Sequence, residues 1–91
     1  MKKKIEKVLK VTNRLGLHVR PATAIAKLLQ AKNSKVTLTY KEETVNACSI
    51  MSLMILAAPK NALIKVCVYG DDAENTLQEL EYLFKSKFGE R

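Results

Sequence analysis

Tryptophan is absent from this chain of 91 residues, and histidine occurs once. Three tyrosines and two phenylalanines are the only aromatics, and none is set among basic residues in the pattern that stacks nucleobases, which argues against a nucleic-acid partner. The two cysteines, Cys48 and Cys67, are too few for a disulfide framework, so free thiols are expected. One histidine and two cysteines at no ligand spacing predict no metal site. No apolar run approaches the roughly 20 residues of a membrane span. The basic start, Met1 to Lys4, leads into an alternating stretch without a signal-peptide core, so a cytoplasmic location and no membrane partner are expected. Glycine-rich phosphate loops, metalloprotease helices and dinucleotide fingerprints are missing, so neither a cofactor nor an independent enzyme is expected. There is no linker, repeat or low-complexity tract, and one domain spanning 1–91 is predicted, with a monomer as the default.

Acidic residues are also scarce. Nine Asp and Glu face sixteen Lys and Arg, for a formal charge of +7. Such an excess steers a protein towards acidic surfaces. The positive residues are scattered, and Lys2 to Lys4 is their only run. With 47% hydrophobic residues the composition is that of a small globular protein with a real core.

The single histidine stands in Gly16-Leu17-His18-Val19-Arg20-Pro21-Ala22-Thr23. Proline is favoured in the first turn of a helix, where its missing N–H has no partner to lose. The spacing therefore puts His18 at the mouth of a helix, beside unpaired backbone amides that favour anions. Arg20 adds a guanidinium able to grip phosphate through two parallel hydrogen bonds. An imidazole beside such an anion site is placed to accept a phosphoryl group and hold it.

The alternation of Ile5, Leu9 and Val11 predicts a first strand over 5–12, broken by Lys7. Ala22, Ile25, Ala26, Leu28 and Leu29 recur at helical spacing, predicting a helix over 19–32 with Lys27 on its exposed side. Val36, Leu38 and Tyr40 mark a half-buried strand, and Thr44-Val45 begins a short return strand. Ser49 caps a short helix running from Ile50 to Leu56. After the connection 57–62, Ile64, Val66 and Val68 alternate in a last strand. Asp71 with Glu74 opens a final helix that reaches about Phe88 through Leu77, Leu80, Leu83 and Phe84. The order is βαββαβα, an α+β fold with a four-stranded antiparallel sheet covered by three helices on one face.

These residues resemble a known family. Leu17-His18-Val19-Arg20-Pro21-Ala22 is similar to the phosphorylation motif of HPr, the histidine-containing phosphocarrier of the bacterial sugar phosphotransferase system. Ser49-Ile50-Met51 with Met54 resembles the regulatory serine motif of HPr in organisms with an HPr kinase. The two are separated as in the family, and the element order matches an HPr-like open-faced β-sandwich over nearly the whole chain. The resemblance implies that His18 takes a phosphoryl group on Nδ1 from enzyme I and passes it to sugar-permease A components, with Arg20 steadying the group. It implies a stoichiometric carrier, a co-substrate of phosphotransferases. It further implies that HPr kinase/phosphorylase modifies Ser49, that Ile50, Met51 and Met54 form an apolar docking patch, and that Lys27 meets acidic partner surfaces. Family members often carry glycines after the second helix, where this chain has Ala57, Ala58, Pro59 and Asn61. Asparagine tolerates the left-handed backbone that glycine allows, so Asn61 is expected to keep one turn.

Simpler readings compete with each assignment. Serine at position 49 is explained by capping alone. Met51 and Met54 suit a core, except that a short helix cannot bury Ile50, Met51, Leu53, Met54, Ile55 and Leu56 together. Arg20 and Lys27 have the ordinary alternative of solvated surface charges. A regulatory binding protein of the same fold, controlled through Ser49 and carrying no phosphoryl traffic at His18, is the second functional reading.

Overall fold

The computed structural model describes residues 2–90. Met1 and Arg91, the ends of the predicted 1–91 domain, lie outside the described residues. The elements run β1 (Lys3–Lys10), α1 (Val19–Gln30), β2 (Lys35–Tyr40), β3 (Glu43–Asn46), α2 (Ile50–Leu56), β4 (Leu63–Gly70) and α3 (Ala73–Lys85). A single 3₁₀ turn, Lys87–Gly89, follows. The strands form one antiparallel sheet in the order β1-β4-β2-β3.

Period-2 alternation sends one row of side chains from each strand to the helices. Leu9, Val36, Leu38, Ile64, Val66 and Val68 are buried there against Ile25, Leu29, Leu53, Leu77, Leu80 and Phe84. Burial of this apolar surface is the main force holding the layers together. Lys7 belongs to the same row, opposite Val66, yet stays half-exposed because it sits at the sheet edge. Its amine donates to Glu81 Oε2 of α3 at 2.9 Å, so the break in the strand's apolar pattern ties β1 to a helix.

Three elements differ in their bounds from the sequence reading. The first strand is displaced to Lys3–Lys10, and Val11 continues it irregularly, exchanging backbone hydrogen bonds with Ala62 (2.9 Å) and Asn61 (2.7 Å). Helix α1 stops at Gln30, where the Ala31 amide turns back to the Leu28 carbonyl at 3.2 Å. Helix α3 is preceded by Asp72 rather than Asp71, and it ends at Lys85.

The Asp72 carboxylate does not cap its own helix. It accepts from the Asn33 amide at 2.8 Å and from the hydroxyls of Ser34 and Thr76, tying the start of α3 to the turn before β2. The Asn33 amide, followed by the Ser34 hydroxyl, holds the Asp72 carboxyl below its ordinary value of 3.8. At the far end of α3, Lys87 and Phe88 take left-handed backbone angles, with φ of 57° and 55°. The chain thereby turns back, and Phe88 is buried edge-on against Phe84 with ring centroids 5.0 Å apart.

Candidate functional site

His18 occupies the N-cap of α1 with an extended backbone, φ −90° and ψ −167°. Its carbonyl accepts the first helical hydrogen bond, from Ala22 N at 3.1 Å. The amides of Val19 and Arg20 precede that bond, and Pro21 has none, so the helix mouth presents two donors with no intrahelical acceptor among the described residues. The ring does not cap its own helix, and its side chain is 31% exposed. Arg20 lies exposed on the first turn, with no hydrogen bond or ion pair among the described residues.

The segment before His18 is fixed by its neighbours. Gly16 has φ +69°, a left-handed angle that strains any side-chain-bearing residue. It also lies so close to the connection after α2 that a Cβ would stand 2.3 Å from the Ala58 carbonyl oxygen. That same oxygen accepts from the Leu17 amide at 2.8 Å. The loop bearing His18 and the loop leaving α2 are therefore pinned together. A shallow cleft between them runs from His18 past Met54 to Ala57 and Pro59.

Two residues at the imidazole were not anticipated from the sequence. Asn13 is fully buried, and its amide Nδ2 donates to the Gly16 carbonyl at 2.7 Å and to Glu90 Oε1 at 2.9 Å. The other oxygen of Glu90 stands 2.7 Å from His18 Nε2. That nitrogen is sealed from solvent, and the carboxylate approaches at ion-pair distance but off the line of a hydrogen bond. The sequence reading placed only cationic influences around the ring; the folded tail adds an anionic one. Phe88 anchors the turn, Gly89 takes φ +80°, and Glu90 is delivered back to the helix mouth. The signal in the sequence is the triplet Phe88-Gly89-Glu90, an apolar anchor, a turn and a charge, of which helical periodicity absorbed Phe88 into α3.

Ser49 is the N-cap of α2, and its hydroxyl accepts from Ser52 N at 3.2 Å. Leu53 and Leu56 face the core, leaving Ile50, Met51, Met54 and Ile55 exposed on one side. Ile55 thus extends the apolar patch expected at Ile50, Met51 and Met54. Lys27 is exposed on α1, where it borders a groove shared with α3. Cys48 and Cys67 are free.

Comparison with known proteins agrees with this geometry. A family model described as the PTS HPr component phosphorylation site matches residues 5–86. Phosphocarrier protein HPr of Chlamydia trachomatis serovar D is 42% identical over 83 residues, covering 91% of this chain and 76% of its own length. Phosphocarrier protein HPr of Xylella fastidiosa strain Temecula1 is 40% identical over 86 residues, covering 94% and 97%. The crystal structure of HPr-C-His from Thermoanaerobacter tengcongensis superposes with a TM-score of 0.90 at 33% identity, covering 96% of this chain and 98% of its own.

Proposed function

This chain belongs to the HPr family of phosphocarrier proteins of the phosphotransferase system, and from that premise we propose that it carries a phosphoryl group on Nδ1 of His18. The observation that supports this nitrogen is the sealing of Nε2 beneath the Glu90 carboxylate while the ring itself reaches solvent at an open helix mouth. The Nδ1 lone pair attacks phosphorus, a P–N bond forms, and the bond from phosphorus to the donor breaks with its electrons returning to the donor. The free amides of α1 and the Arg20 guanidinium face the negative charge that arrives. The donor is enzyme I and the acceptors are sugar-permease A components. The protein is a monomeric, cytoplasmic co-substrate, consumed and regenerated at each transfer.

Docking rests on the exposed Ile50, Met51 and Met54, with Lys27 meeting acidic surfaces on the partner. Ser49 is the site of HPr kinase/phosphorylase. A phosphate there is accommodated at the start of α2, so its effect falls on the interface: a dianion next to the apolar patch repels acidic partners and disrupts apolar contact.

Phosphoenolpyruvate with enzyme I labels the wild-type chain and leaves His18→Ala unlabelled; full labelling of that variant overturns the assignment. Arg20→Lys keeps the charge but loses the fork, so transfer measured by stopped flow slows. Site mapping after incubation with HPr kinase and ATP decides the regulatory role of Ser49.

A further inference from the structure

We propose that the face of the sheet turned away from the helices is a docking surface for the headgroups of an anionic lipid bilayer. The proposal goes beyond the carrier reading and does not depend on it. In the linear sequence the positive residues are scattered, but strand alternation and strand order gather them. Lys4 and Lys10 of β1, Lys35 of β2 and Lys65 of β4 all stand on the outer face and are exposed. Among the described residues, the only carboxylate that the strands place there is Glu6, which pairs with Lys65 at 2.9 Å. The lysines of the inner row are balanced instead: Lys3 and Lys7 reach Glu74 and Glu81 of α3. Asp71 and Asp72 gather with Glu74 on that side too. Acidic charge is drawn to the layer of α3, and the outer face keeps an excess of the opposite sign.

The apolar side chains on this face identify the occupant. Tyr69 lies between Lys4 and Lys35, its cross-strand neighbours, and the ammonium of Lys2 stands 5.9 Å from its ring centroid. Leu63 lies opposite Lys10, and Val8 opposite Lys65. Val8, Leu63 and Tyr69 are all exposed, so each large apolar group has a lysine directly across from it. A protein-binding site gathers its apolar residues at a dry centre and leaves charge to the rim, whereas here the two are interspersed. A single-stranded nucleic acid uses a succession of aromatic platforms, and this face has one. A bilayer surface suits the mixture. Its negative charge is spread evenly to meet the ammoniums, tyrosine rests at headgroup level, and aliphatic side chains reach the acyl boundary. His18, Arg20 and the apolar side of α2 belong to the helix layer, so contact through the sheet leaves them clear.

Co-sedimentation of the full chain with lipid vesicles tests the idea. At about 0.05 M salt the protein should pellet with vesicles of phosphatidylglycerol and phosphatidylcholine in equal parts, and stay in solution with phosphatidylcholine alone. Raising the salt to about 0.5 M, where the screening length has shrunk about threefold, should release it. Each lysine near an anionic surface strengthens partitioning about fivefold, so combining Lys4→Gln, Lys10→Gln and Lys35→Gln should weaken it roughly a hundredfold. The control removes equal charge elsewhere, by Lys41→Gln, Lys85→Gln and Lys87→Gln. Lys41 leans over Tyr40, which packs on the inner row, and the other two follow the end of α3. This control should partition within about threefold of the wild type, because charges away from the contact are screened. Thermal melts by circular dichroism check that both combinations fold, and the three single variants, each losing about fivefold, carry the test if the first combination does not.

A wild-type chain that stays in solution with the anionic vesicles at low salt overturns the proposal. An equal loss in the two combinations also overturns it, since net charge and not this face would then be responsible. Tighter retention of a single-stranded oligonucleotide or of polyglutamate than of the vesicles, at the same salt, overturns it in favour of a nucleic acid or an acidic protein. Sedimentation needs no enzyme I, so a chain that enzyme I does not label leaves this test unaffected.

Discussion

Gly16 has no tolerable substitute. Its positive φ costs an alanine about 1–2 kcal/mol by itself, and the added Cβ would press on the Ala58 carbonyl oxygen at 2.3 Å. Gly16→Ala should therefore destabilise by at least about 2 kcal/mol and lower Tm by roughly 10 °C or more, read by calorimetry. Ala57 presents the reverse case. It closes α2 in the left-handed region, with φ of 53°, a place where glycine is the usual choice. Relief of that strain, less the extra freedom glycine has when unfolded, should make Ala57→Gly more stable by about 0.5–1 kcal/mol, a gain of a few degrees in Tm. Asn61 could be anticipated as left-handed because its side-chain chemistry advertises the tolerance, and its φ is 73°. Ala57 could not, since nothing about alanine marks such a position. Glu90 escaped notice for a related reason: a surface-type residue near the end of a chain gains meaning only from what the fold returns it to.

Among the elements, α1, β2 and α2 stand within two residues of their expected bounds, because each couples a clear apolar period to a clear start signal. The start of α3, expected at Asp71 with Glu74, falls one residue later because the Asp72 carboxylate is engaged by Asn33 and Ser34, nearly forty positions away. Its end was misjudged because Phe88 satisfies the helical period while sitting in a left-handed turn. The Asp72 clasp has a pH signature. Its carboxyl is held below 3.8 in the folded chain, so its contribution is present above that value and fades as pH falls through the lowered folded-state value. Asp72→Asn should melt below the wild type at pH 7, and the gap in Tm should hold on acidification until the ordinary value of 3.8 is approached and narrow below it. A gap that stays constant as the pH falls below 3.8 would remove the charge from the explanation and leave only geometry.

The whole molecule has the α+β architecture expected from its pattern of elements: four antiparallel strands under three helices. Periodicity predicted the elements, but the strand order β1-β4-β2-β3 was not among the sequence-based expectations and comes from the structure. Local patterns do not encode which distant strands are neighbours. Two features join the parts that matter at the site: the Gly16–Ala58 contact couples the histidine loop to the apolar patch, and Phe88 brings the tail to the imidazole. A chain cut after Ala62 lacks the strand that pairs with both β1 and β2. It should show no cooperative thermal transition by circular dichroism, although it retains three of the four strands and both motif-bearing helices.

That central plank also sets a timetable for biosynthesis. The first strand made has no neighbour until Leu63–Gly70 has been synthesised. A nascent chain emerging from the ribosome therefore carries Lys3–Lys10 as an unmated ribbon, exposed to chaperones and proteases, until every element between it and Leu63–Gly70 has been made.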